Sequence, residues 1–327
     1  MILYITFSKI YKKNSLTLIL ENFKNIDIYY IFICIFIIVL YFILQGIYMK
    51  MILSSLNHKI SLKKGIFYSM IEFYFSGITP SSVGGQPVQL YYMKKDNIPI
   101  RKSYITLALN TIYFKLSLVI LGIISLIINS SYIINSDFIY KVFFIIGFLS
   151  DLLMIIFGIL LLFKIDLIKK ILSKIISFLK SKNIFKKKID TINEQETMKR
   201  YNADIKYIKS HKMIVIITFI ITFIQRILLF SIIYFIYRSL GYNSHSYFEL
   251  LTIQVTVQLS IEMLPLPGGA GLSESMLHSI FITIFSLKFA DIGMLLTRGF
   301  TFYIPLIICG IIILIDYIFK KRNRLTN

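Results

Sequence analysis

Five uninterrupted apolar runs, near 29–49, 103–129, 139–163, 213–237 and 299–319, constrain this chain more than any other feature of its sequence. Each supplies roughly the 20 apolar positions that a helix needs to cross about 30 Å of hydrocarbon. Of the 327 residues, 57% are apolar and 16% charged, whereas a soluble domain has about 45–50% and about 25%. One globule of this size cannot hide that excess, which excludes an ordinary soluble enzyme. The sequence predicts an all-α polytopic membrane protein with about five full spans.

Lys and Arg number 36 against 16 Asp and Glu, a net charge of +20. In a soluble chain that surplus would point to nucleic acid. Here the basic residues lie between apolar blocks, where inner-face bias and attraction to anionic inner-leaflet lipids account for them, so no nucleic-acid partner is expected. Cys34 and Cys309 both lie inside apolar runs, far apart. They form neither a disulfide scaffold nor a closed zinc site, and no metal or other cofactor is expected. Trp is absent, so the 22 Tyr must supply any interfacial belt.

Two further apolar regions are broken. The first, 65–93, is interrupted by Ser76-Gly77-Ile78-Thr79-Pro80-Ser81-Ser82-Val83-Gly84-Gly85-Gln86-Pro87, and the second, 248–290, by Leu264-Pro265-Leu266-Pro267-Gly268-Gly269-Ala270-Gly271. Basic residues give the orientation. Segment 164–212 holds fourteen Lys or Arg against five Asp or Glu, and the tail 320–327 holds Lys320, Lys321, Arg322 and Arg324. Both are expected on the cytoplasmic side, with 130–138 and 239–248 as outer loops. Lys59, Lys63 and Lys64 before the first broken region, and Lys94, Lys95, Arg101 and Lys102 behind it, put both its ends inside. The second begins after an outer loop and precedes a span running inward, so both its ends are outside. Each therefore enters and leaves on one face, giving two opposed re-entrant hairpins in an inverted-repeat-like arrangement. Paired Gly/Pro breaks of this kind point to a transporter's binding site. Unwound backbone at that depth is tolerated only when buried in protein or lining a wet cavity. Ordinary helical hairpins with tight turns are the alternative.

The chain divides accordingly into an N-terminal interfacial segment (1–28), a first membrane half (29–163), a basic cytoplasmic segment (164–212), a second membrane half (213–319) and the tail (320–327). Within 164–212, Leu167–Leu179 has helical amphipathic spacing suited to the inner leaflet, and the remainder reads as a charged linker. Counting spans places the N-terminus outside unless 1–20 also crosses.

Glu72 lies in the first broken element, Glu262 and Glu274 flank the second break, and Asp151, Lys115 and Arg226 fall within spans. Ionisable groups at such depth face the interior or a wet cavity and pair with one another. Four acids against two bases leave an excess of negative charge, to be met by protons or by a cationic substrate group or ion. In the functional reading Arg226 and Lys115 hold a phosphate while acids receive a cationic head group or a proton. In the structural reading the same two bases pair with Asp151 and Glu72. Gly84-Gly85 and, after Pro267, Gly268-Gly269 permit tight turns, and the helices that follow them would present free N–H groups to an anion. Thr79, Ser81, Ser82 and Ser273 add hydroxyl contacts or simply cap helices, with Pro80 among them in the first break. The substrate-binding set is therefore Glu72, the two breaks, Arg226, Glu262 and Glu274, with Lys115 and Asp151 as secondary candidates. GxxxxGK[ST], HExxH and GxSxG are absent from the sequence, and no catalytic residue is expected.

The ordered pair Ile78–Pro87 and Leu264–Glu274 resembles the transmembrane region of the lysylphosphatidylglycerol synthase family, the flippase half of multiple-peptide-resistance proteins, which also occurs as stand-alone membrane proteins. The resemblance spans most of 20–320. It implies a bacterial inner-membrane lipid translocase for an aminoacyl-phosphatidylglycerol-like or other polar-headed lipid, with membrane phospholipid as its partner. Full-length relatives add a C-terminal synthase domain. This sequence stops at Asn327 and is expected to lack that activity. Family members commonly carry an arginine where this chain has Gln89, so phosphate binding would shift there to Lys94, Lys95 or backbone N–H groups. Relatives also have a further helix ahead of 29–49. A head-group transferase and a membrane scaffold or channel component are the competing classes; the sequence leaves oligomeric state open.

Overall fold

The computed structural model describes residues 26–82, 84–130, 138–163, 194–262, 266–269, 271–285 and 287–325, and all regular structure among them is helical. The helices are α1 (Ile28–Ser55), α2 (Leu62–Ile78), α3 (Gly85–Lys95), α4 (Ile100–Ile128), α5 (Phe138–Phe163), α6 (Glu194–Ser210), α7 (Lys212–Ser239), α8 (Tyr247–Ile261), α9 (Leu272–Ile284), α10 (Leu287–Arg298) and α11 (Ile304–Leu325). Short 3-10 turns at Pro80–Ser82 and Pro267–Gly269 occupy the two breaks, and a π turn at Gly299–Tyr303 joins α10 to α11. The expected interfacial segment and the Leu167–Leu179 helix lie mostly or wholly outside the described residues.

Among the described residues, five helical stretches are long and apolar enough to cross a membrane: α1, α4, Tyr140–Phe163 of α5, α7, and Phe289–Lys320 across α10 and α11. The protein is a multi-pass membrane protein. Exposed apolar stripes run along Leu149, Leu153, Ile156 and Phe157 of α5 and along Ile307, Ile311, Leu314 and Ile318 of α11. Their helical spacing gives each helix one continuous face for hydrocarbon.

Two boundaries differ from the sequence reading. The last span, placed at 299–319, begins already at Phe289, within helix α10, and the second broken element closes at Ile284 instead of 290. Asp291 and Arg298 dilute the apolar pattern there, yet both are buried, Asp291 against His278 at 2.9 Å and Arg298 against Glu274 at 2.9 Å. The stretch 194–210, read as charged linker, is helix α6. Tyr201, Ile205 and Ile208 recur at helical spacing and bury against α4, where Arg101 meets Asp204 at 2.8 Å.

Helices α2 and α3, of 17 and 11 residues, are about 26 and 17 Å long, and α8 and α9, of 15 and 13 residues, about 22 and 20 Å. None alone matches the ~30 Å of a hydrocarbon core. Their packing follows one scheme in both halves. α1 lies along α7, α2 rests on α11 as α8 rests on α4, and the two 3-10 turns touch each other. One apolar cluster joins α1, α2, α4 and α6 around Tyr48, Ile52, Tyr68, Ile105 and Ile205; another joins α7, α8 and α9 around Tyr237, Val257, Leu277 and Phe281.

Candidate functional site

The first break is shaped by its own side chains. The Thr79 hydroxyl donates to the Phe75 carbonyl at 2.6 Å and accepts from the Gly84 N–H at 2.9 Å, which closes the turn over Pro80–Ser82. Ser82 is exposed and adopts φ 55°. Helix α3 starts hard against α2: a Cβ on Gly85 would stand 2.5 Å from the Glu72 carbonyl oxygen. Close approach of these two helices therefore requires glycine.

The second break turns on left-handed backbone, with φ of 57°, 68° and 93° at Gly268, Gly269 and Gly271. A side chain at Gly268 would also run into the Phe302 ring. That ring stands 3.2 Å from the Cβ position of Gly77 on α2, so it lies against the approaches to both breaks. Glu274 then fastens the turn. It accepts from the Gly271 N–H at 2.5 Å, the Ser273 hydroxyl at 2.9 Å, Arg298 Nε at 2.9 Å and the Tyr303 hydroxyl at 2.7 Å. Arg298 also donates to the Gly268 carbonyl at 3.0 Å. The start of α9, expected to be open to an anion, is thus already occupied by a carboxylate; the start of α3 has no side-chain cap of this kind.

Less than two turns of α4 serve both broken elements. Asn110 donates to the Glu72 carboxylate at 3.2 Å and accepts from Gln45 at 2.9 Å. Thr111 accepts from Gln86 of α3. The Phe114 ring lies 4.1 Å under the Arg226 guanidinium, which donates to the Tyr41 hydroxyl at 3.2 Å. Lys115 meets Asp151 at 2.8 Å and Glu262, just beyond α8, at 2.7 Å. Tyr41 and Gln45 are one turn apart on α1, so α1, α2, α4 and α7 close a polar ring inside an apolar molecule. Several polar atoms of these elements have no hydrogen-bond partner among the described residues, namely Gln45 Oε1, Gln225 Oε1 and Arg226 Nε, as have both amide atoms of Gln89 on α3. Buried polar atoms left unpaired are costly and mark places where water or a ligand belongs.

Residues 1–309 match the model of the family described as Lysylphosphatidylglycerol synthase TM region. The chain belongs to that family. It is also similar to a UPF0104 membrane protein from Archaeoglobus fulgidus, with 24% identity over 254 residues, 74% of this chain and 74% of that protein. In this Lysylphosphatidylglycerol synthase TM region member, both breaks and every expected site residue fall inside the matched stretch.

Of the expected site residues, the structure gathers Glu72 and Arg226 around Asn110 and Phe114, and it gathers Lys115, Asp151 and Glu262 into one cluster. Lys115 is engaged by two carboxylates, those of Asp151 and Glu262. Gln89 is fully buried on α3. Lys94 and Lys95 end α3, about 14 Å along the axis from Gly85, and do not meet the first break. Sequence reasoning missed Arg298, Asn110 and Tyr41. Arg298 adds a third deep base beside Lys115 and Arg226, and the same span brings in buried Asp291 beside His278. Its signal was the apolar spacing of Phe289, Ile292, Leu296 and Phe300, which carries the last helix upstream of 299.

Proposed function

We propose that this protein moves a phospholipid between leaflets, the head group passing beside the two facing breaks while the tails stay in hydrocarbon. The observation that carries this reading is the contact between the Pro80–Ser82 and Pro267–Gly269 turns, each backed by buried charge. Read with the distribution of basic residues, the two hairpins are re-entrant from opposite faces, and the tail lies on the cytoplasmic side of a bacterial inner membrane. Arg226 and the uncapped start of α3 suit a lipid phosphate, and Glu72 suits a cationic group on the head. Aminoacyl-phosphatidylglycerol carries both charges; membership of the family supports that class of lipid.

The test is translocation of labelled lipids in liposomes reconstituted with the full chain. Faster movement of phosphatidylglycerol or its lysyl ester than in protein-free liposomes is expected, and it should be lost in Arg226→Gln. No acceleration with any of several head groups, anionic, zwitterionic or cationic, removes the transport reading.

A further inference from the structure

The Asp151–Lys115–Glu262 cluster contains two carboxylates and one ammonium. Lys115 Nζ stands 2.8 Å from Asp151 Oδ1 and 2.7 Å from Glu262 Oε1. The Asp151 side chain is 1% exposed. Its second oxygen, Oδ2, has no hydrogen-bond partner among the described residues, and neither has Oε2 of Glu262. Of the other buried acids, Glu274 pairs with Arg298 and Asp291 lies 2.9 Å from His278, and Glu72 and Arg226 act electrostatically on each other across the polar ring. Within this cluster two carboxylates share one ammonium, which leaves one negative charge without a cation. An unbalanced carboxylate at that depth is among the most expensive groups to bury.

We infer that the cluster binds one exchangeable proton, shared between Asp151 and Glu262. A metal cation would need the space between the carboxylates, which Lys115 fills. A proton needs only one of the two unpartnered oxygens. The groups that face the cluster from neighbouring elements leave this balance unchanged. Arg226 of α7 stacks on the same Phe114 ring that Lys115 approaches, and Glu72 of α2 is held by Asn110. Tyr41 of α1 is neutral and hydrogen-bonded to Arg226, and α3 brings the neutral amide of Gln86 to Thr111. Helix α6 adds charge only at the Arg101–Asp204 end of α4.

The cluster also joins two kinds of element. Asp151 and Lys115 sit on full spans, whereas Glu262 ends α8 immediately before the second break. With the proton bound the cluster is neutral and the hairpin stays docked. Without it the two carboxylates repel, and Glu262 is the one free to move away with the turn. The proton is then the coupling ion of lipid transport, a step that rests on the function proposed above. It is taken from water on one face and released to water on the other.

The experiment uses the full chain in liposomes with labelled phosphatidylglycerol under an imposed gradient of one pH unit. One proton per lipid predicts a steady leaflet ratio shifted by up to roughly tenfold. The response should vanish in Asp151→Asn and in Glu262→Gln. Wild-type translocation that ignores the gradient overturns the coupling and leaves lipid transport standing. If no lipid moves, the transport reading fails, and infrared spectroscopy of the same protein decides the proton site. A protonated-carboxyl band that titrates in the wild type and is lost in either variant supports it. A wild type without that band, or a band unchanged in both variants, overturns it, and the wild-type titration stands even where a variant does not fold.

Discussion

Arg298 Nε and Glu274 Oε1 meet at 2.9 Å with side chains only 7% and 3% exposed. This pair ties the start of α9 to the π turn of the last span and, through the Gly268 carbonyl, holds the second break in place. Isolated π turns recur at functional sites, and here the turn is where the last span meets the second broken element.

Removing one member of that pair leaves a buried charge without its partner. Arg298→Met and Glu274→Leu should each destabilise the protein by about 3–5 kcal/mol, while the double variant should lose less than the sum of the two. Unfolding midpoints in one detergent, combined as a double-mutant cycle, measure this. Additive losses would mean that the pair is not a unit.

Gly268 combines φ 57° with the Phe302 ring against its missing side chain. Gly268→Ala is expected to cost about 1–3 kcal/mol, from backbone strain together with the clash. Adding Phe302→Ala should not restore full stability, because it removes the clash and leaves the strain. Complete rescue would assign the whole effect to the ring.

Glu72 and Arg226 separate structural from functional roles. Either Glu72→Gln or Arg226→Gln should lower both stability and translocation. The double variant is neutral and should regain stability within roughly 1 kcal/mol of wild type, yet remain at least about tenfold slower in lipid movement. Recovery of transport in the double variant would make the pair a fold-specifying bridge only.

Asp96 caps α3 outside the spans. Burial alone would raise its carboxyl, but the Tyr68 hydroxyl at 2.6 Å and the Lys64 ammonium at 3.3 Å outweigh that and hold it below the usual value. A lowered folded value adds stability above the unfolded pKa and loses it as pH falls through the folded one. Asp96→Asn should therefore lower the unfolding midpoint at neutral pH, with the difference from wild type closing only below about pH 4. A difference that closes near pH 6 would contradict this.

Cys34 and Cys309 are both buried, so an introduced thiol can be read against a low background. Ser82→Cys in the first break should react with a water-soluble thiol reagent far more slowly than Asn57→Cys in the loop before α2. Equal rates would put the break outside the bilayer.

Much of this architecture can be read along the chain because a bilayer is a uniform solvent. Any run of apolar side chains long enough to cross it must satisfy its own backbone, which makes α1, α4, α5 and α7 legible from local composition alone. The breaks are legible too, since proline removes a donor and glycine opens the left-handed turn that Gly268, Gly269 and Gly271 adopt. The start of the last span was misplaced for the same reason. Local hydropathy penalises Asp291 and Arg298 without knowing that His278 and Glu274 stand opposite them.

Partnership is what only the tertiary structure decided. Lys115 and Glu262 are far apart in sequence and 2.7 Å apart in space, and Lys115 takes two carboxylates where a charge count offers no choice among four. Asn110 and Tyr41 carried no signal, being neutral and one among many of their kind until Glu72 and Arg226 were placed beside them. Burial makes a charge costly, so the chain states that such groups must be compensated. Which group compensates which depends on distances that helix packing alone sets.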